Sequence, residues 1–140
     1  MREIKFRVWD STSKVMIYSE NPDNNDNEYP TLLTIGLHGL PILIDRDSFK
    51  TNEIVGWNVD HNRFIQQFIG LKDKNGVEIY EGDILNFNIS FVYGEPLKGV
   101  IVFKTASFVV KTNYSEYNMN HVDEIQIIGN IYENPELLEK

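Results

Sequence analysis

Four carboxylates lie close together in the chain: Asp73, Glu78, Glu81 and Asp83. Two carboxylates brought side by side can act as a general acid–base pair or hold a divalent cation. The same residues beside Asn and Gly also do ordinary turn work, because an Asp side chain accepts backbone N–H groups in tight loops. Asp73 precedes Asn75-Gly76, and Asp83 directly follows Gly82, so the turn role is the stronger reading. His38, His61 and His121 are far apart and the chain has no cysteine, so the local spacings of a zinc site are missing. Asp23, Asp26 and Glu28 lie in a polar stretch without the alternating ligands and Gly of a calcium loop. No G-x-S-x-G, P-loop or G-x-G-x-x-G is present. The expectation is therefore no catalytic residue, no metal and no cofactor.

What remains is recognition chemistry. Trp57, Tyr80, Tyr114 and Tyr117 combine an apolar ring with a polar tip, a combination favoured at interfaces and as a stacking platform for bases. These four are the candidate partner-binding residues. Tyr114 and Tyr117 stand in a polar loop with Asn113, Asn118 and Asn120, and loops on a rigid scaffold often carry recognition.

The elements that would position them are strands. The chain is organised around Gln67–Leu85, Q-F-I-G-L-K-D-K-N-G-V-E-I-Y-E-G-D-I-L. Asn75-Gly76 predicts a type I′ hairpin turn, with Lys72, Asp73 and Lys74 widening its loop. Gly82 predicts an unusual backbone dihedral at a second turn. Leu85, Phe87, Ile89 and Phe91 alternate with Asn86, Asn88 and Ser90, which predicts one half-buried strand over 83–93. Strands over 99–103, 108–111 and 124–131 follow, with a polar loop at 112–121. Asn134-Pro135 reads as the N-cap and first residue of a helical turn that needs docking to persist. Upstream, Ile4, Phe6 and Val8 pair with Val15–Tyr18 across Asp10–Ser13 as an N-terminal hairpin. Residues 19–30 read as a polar loop. Residues 31–62 hold apolar runs broken by Gly36, Gly39 and Pro41, with strands near 42–44 and 54–59. The resulting expectation is a mainly β protein: a small antiparallel SH3-like barrel at 65–132, an N-terminal β-hairpin and an irregular α/β insert packed on the barrel.

Three segments carry a resemblance. G-L-K-D-K-N-G-V-E-I-Y-E-G-D-I at 70–84, the opening M-R-E-I-K-F-R-V-W-D and the ending I-G-N-I-Y-E-N-P-E-L-L at 128–138 resemble the YopX-like family of phage and prophage proteins. The resemblance marks Gly70, Asp73, Asn75, Gly76, Gly82, Asp83 and Gly129 as signature turn positions. It implies a single β-rich domain of mobile-element origin that self-associates, and it supplies no catalytic residues.

Composition narrows the partners. At 140 residues and 41% hydrophobic content, the chain suits one domain with two subdomains, 1–62 and 63–140. The net charge is −8, with −4 in each of those two parts. A phosphate-backbone binder would carry a Lys/Arg cluster, and none is visible. A nucleic-acid or nucleotide-binding SH3- or OB-like module becomes the second reading, dependent on folding to gather Lys72, Lys74, Lys98, Lys104 and Lys111 on one surface. No signal peptide or spanning segment is visible, so a cytoplasmic protein is expected. The resemblance, together with short strands whose edges must be paired or covered, implies a homo-oligomer that binds a host or phage protein.

Overall fold

The computed structural model describes residues 3–18, 31–35, 41–45 and 63–139. Their regular structure is almost all strand: β1 Phe6–Asp10, β2 Val15–Tyr18, β3 Thr31–Ile35, β4 Pro41–Asp45, β5 Arg63–Lys72, β6 Glu78–Tyr80, β7 Asp83–Ile89, β8 Leu97–Lys104, β9 Ser107–Lys111, β10 Glu116–Asn118 and β11 Val122–Asn130. Two short 3-10 turns, Met119–His121 and Pro135–Leu138, complete the described elements. The chain divides into two units, residues 5–66 and residues 1–4 with 67–140.

In the first unit, β1 and β2 form the expected hairpin, in antiparallel register from Arg7↔Tyr18 to Asp10↔Val15. The loop closes because Asp10 caps it: Oδ1 accepts the N–H groups of Thr12 and Ser13 at 2.9 and 3.1 Å. Lys14 supplies the left-handed residue at φ 60°. The strand order here is β2-β1-β5. Arg7 is buried, and its Nε donates to Gln66 Oε1 at 2.7 Å, so the charge is not left unpartnered. Within the stretch expected as an α/β insert, β3 and β4 pair as an antiparallel hairpin from Thr31↔Asp45 to Ile35↔Pro41. The polar loop at 19–30, the strand at 54–59 and the rest of that insert lie outside the described residues.

In the second unit, β7 to β11 form a five-stranded antiparallel sheet of order β10-β9-β8-β7-β11. Its core is Ile69, Ile79, Leu85, Phe87, Ile101, Val110 and Val122. The period-2 rule explains most of them. Leu85 and Phe87 alternate along β7, and Ile101 is paired with Val110 across β8 and β9. Two expectations need correcting. The strand over 83–93 stops at Ile89, where Val92 N–H turns back onto the Ile89 carbonyl at 3.0 Å. Phe91 therefore leaves the buried face and sits at φ 64°. The polar loop at 112–121 contains β10, registered Tyr117↔Val110, which turns Tyr117 toward the core.

Candidate functional site

The signature residues assemble two joints. The first is the 73–77 loop. Asn75 is not in the left-handed region and only Gly76 is, at φ 83°, so the type I′ expectation is replaced by a loop closed from Asp73. Gly76 N–H donates to the Asp73 carbonyl at 3.0 Å, and Asp73 N–H donates to the Val77 carbonyl at 2.8 Å. The Asp73 carboxylate caps the same loop through Oδ1, which accepts N–H from Asn75 at 2.8 Å and Val77 at 3.0 Å. Its other oxygen reaches β11 and accepts Ile127 N–H at 3.2 Å. Lys74 N–H also donates to the Ile125 carbonyl, next to a bulge where Glu124 takes φ 50°. Burial alone would raise the Asp73 pKa; the hydrogen bonds from Val77, Ile127 and Asn75 outweigh it and hold the carboxyl below its ordinary value. Gly70 is not in a turn. It lies inside β5 at φ 90°, where the pairing with β6 shifts register.

The second joint is the corner at Gly82, where the chain leaves β6 for a different sheet. Gly82, at φ 82°, donates its N–H to the Ile101 carbonyl and accepts Ile131 N–H on its own carbonyl. Asp83 is 1% exposed. Its Oδ2 accepts Tyr80 N–H at 2.8 Å, and its Oδ1 accepts Asn130 Nδ2 at 3.2 Å. Asn130 in turn accepts Tyr132 N–H at 3.0 Å and exchanges hydrogen bonds with Asn134. Gly129 leaves the space for this ending: a Cβ there would come within 2.6 Å of Leu137 Cδ1 and 2.8 Å of Asn134 Oδ1. The helical turn expected at Asn134-Pro135 is present as the Pro135–Leu138 3-10 turn, though the Asn134 side chain bonds Asn130 instead of capping it. Asn130 had no local signal, because its partner Asp83 is distant in sequence. Next to this corner, burial and then the Glu81 charge raise the Tyr132 phenol above its ordinary pKa.

Both joints use their carboxylates on backbone and amide groups, which is structural chemistry. Among the described residues, no group of three or more His, Asp or Glu is placed to hold a metal ion.

The aromatic candidates separate cleanly. Tyr80 is 3% exposed, its ring tilted against Phe68 at 5.6 Å and its hydroxyl donating to Glu78, so it presents no free surface. Tyr117 is half-buried, edge-on to Phe87 at 5.8 Å. Trp57 lies outside the described residues. Tyr114 is 87% exposed, on a tight loop closed by the Thr112 hydroxyl. That hydroxyl donates to the Ser115 carbonyl and accepts the N–H groups of Tyr114 and Ser115. Two rings outside those four candidates are also exposed in the β7–β8 loop: Phe91, expected on the buried face of a strand, and Tyr93, a polar-tipped aromatic, at 103% and 104%. The register places the β7–β8 and β9–β10 loops at the same end of the sheet, since Phe87 faces Leu97 and Val100 faces Lys111. Among the lysines of the second reading, Lys98 Nζ donates to the Leu137 carbonyl and Lys104 Nζ pairs with Glu116 at 2.8 Å.

The fold and these joints define a class of small, mostly antiparallel β proteins with a capped hairpin and a polar corner at its heart. A family model described as YopX protein matches residues 5–139, and the chain belongs to the YopX family. Protein EF1440 from Enterococcus faecalis, known from a crystal structure, is similar at 30% identity over 99% of this chain and 100% of its own, with a TM-score of 0.59. Protein yopX from Bacillus subtilis, also from an X-ray structure, shares the fold at 21% identity over 97% of this chain and 96% of its own, with a TM-score of 0.61. No curated protein matches the chain. No helix among the described residues is long and apolar enough to cross a membrane.

Proposed function

We propose that this protein is a non-enzymatic binding module of mobile-element origin, working in the cytoplasm of a bacterial cell through protein–protein contacts. One observation carries the reading. Three aromatic rings, Phe91, Tyr93 and Tyr114, stand exposed on loops at one end of the five-stranded sheet, while the Asp73 and Asp83 carboxylates are engaged in structural hydrogen bonds. Aromatic rings held on anchored loops are the residue type that dominates binding energy at protein interfaces.

The scaffold under those loops is read as a small SH3-like barrel. Supporting this, β7 to β10 run as a meander, and β11 returns beside β7 after the Met119–His121 turn. Self-association is the second part of the proposal. Strand β2 supports it, because among the described strands it is a sheet edge, it carries no charge over Val15–Tyr18, and Val15 is exposed. An uncharged edge of this kind is a template for pairing with another strand.

Light scattering tests the reading, measuring native mass before and after mixing with fractions of a bacterial extract. The expected result is a discrete oligomer that gains mass with a particular protein fraction. A monomer unaffected by protein fractions, but shifted in a nuclease-sensitive way, overturns it in favour of nucleic-acid binding.

A further inference from the structure

Resting on the binding-module reading, we propose that the β7–β8 loop is a recognition tip for an extended, arginine-bearing segment of a protein partner. The tip is Phe91-Val92-Tyr93, three consecutive apolar or aromatic residues, all exposed. Its base is anchored: Val92 N–H donates to the Ile89 carbonyl at 3.0 Å, and Ser90 N–H donates to the His121 carbonyl at 2.9 Å. The rings are thus presented on a fixed root, which lowers the ordering cost of binding.

Charge selects the occupant. Glu95 is exposed in the same loop, and exposed Asp123 pairs with Asn88 at the loop's root. Lys98, at the start of β8, directs its Nζ to the Leu137 carbonyl, and exposed Lys111 lies at the same end of the sheet on β9. A flat guanidinium suits both features of this surface. It stacks on a ring face and forms two-pronged hydrogen bonds with a carboxylate, whereas an ammonium offers only a compact charge. A nucleic acid or an anionic lipid surface meets the repulsion of a chain with net charge −8. A second copy brings the same net negative charge and presents the same rings and carboxylates at this tip.

The test uses the full chain and a short synthetic peptide in which arginines alternate with prolines, titrated by calorimetry. Replacing its arginines with lysine, or substituting Phe91→Ala or Tyr93→Ala in the protein, raises Kd about tenfold. Replacement of the arginines with citrulline abolishes binding. Two results overturn the inference: no binding below about 1 mM, or equal binding of the lysine peptide with both protein variants unaffected. A native mass that falls to the monomer in Phe91→Ala and Tyr93→Ala, without peptide binding, assigns the tip to a second copy and also overturns it. If the peptide fails while the complex with an extract protein persists, this inference alone falls; if neither forms, the binding-module reading falls with it.

Discussion

Asn130 Nδ2 donates a 3.2 Å hydrogen bond to Asp83 Oδ1 in the buried interior, tying the end of β11 to the start of β7. Both side chains are also bonded to backbone, Asp83 to Tyr80 and Asn130 to Tyr132. Removing one partner strands a buried polar group, which costs about 1–3 kcal/mol. Asn130→Ala and Asp83→Ala are therefore each expected to lower unfolding stability by about that much or more, read by urea denaturation. The double variant should cost less than the sum of the two, because the second substitution removes an already broken contact.

The pH dependence of stability carries the signature of Asp73. Its folded pKa lies below the ordinary 3.8. The unfolded chain therefore binds the proton first as pH falls, so stability rises with pH through this window. The contribution is fully present above the unfolded value and is lost as pH drops through the folded one. Denaturation at pH 6 and pH 3 should show a smaller acid loss in Asp73→Asn than in the native chain. Asp73→Asn should also be less stable at neutral pH, by about 1–3 kcal/mol, since an amide nitrogen cannot accept Ile127 N–H. Equal acid slopes in the two proteins would contradict the capping account.

Two glycines make a ranked prediction. A Cβ at Gly99 would meet Val110 Cγ1 at 2.5 Å and the Lys111 carbonyl oxygen at 2.8 Å, so part of the obstacle is the backbone of the next strand. A Cβ at Gly129 would meet side-chain atoms of Leu137 and Asn134. Gly99→Ala should be the more damaging, with overpacking costs of about 1–3 kcal/mol as the scale. Gly129→Ala should mainly free the Pro135–Leu138 turn, seen as faster amide exchange at Leu137. The reverse ranking in thermal unfolding would be inconsistent with these contacts.

The β8–β9 turn is strained where β7–β8 is exposed. Thr105 and Ala106 both have positive φ, 50° and 60°, in a two-residue connection between Lys104 and Ser107. L-residues other than Asn and Gly disfavour that region by about 1–2 kcal/mol each. Thr105→Asn with Ala106→Gly is expected to raise stability by about 1 kcal/mol or more without altering the fold. A neutral or destabilising outcome in the melting temperature would show that the turn is held by something other than its φ angles.

How far the sequence could be read follows from the range of each signal. Alternation along β7 located Leu85 and Phe87, because strand periodicity is local. It failed at Phe91, since the same alternation continues through a residue whose backbone has already reversed at φ 64°. The hairpin near Asn75-Gly76 was visible, but its turn type was not, because the Asp73 carboxylate, two residues before Asn75 in the same loop, closes it. Tyr80, Tyr114 and Tyr117 look alike as residue types. Strand register decides that Tyr117 faces Val110 while Tyr114 stands out in solvent. Asn130 was invisible as a structural residue for the opposite reason: its main partner is remote in sequence.

The central claim is that the exposed rings serve binding and not folding. The double variant Phe91→Ser with Tyr93→Ser tests it most directly, with the unfolding midpoint and the native mass in bacterial extract measured side by side. Rings that are fully exposed contribute nothing buried, so the unfolding free energy derived from that midpoint should stay within about 0.5 kcal/mol of the native chain while the mass gain disappears. A mass gain that survives the substitutions would contradict the account, as would a midpoint that collapses with them.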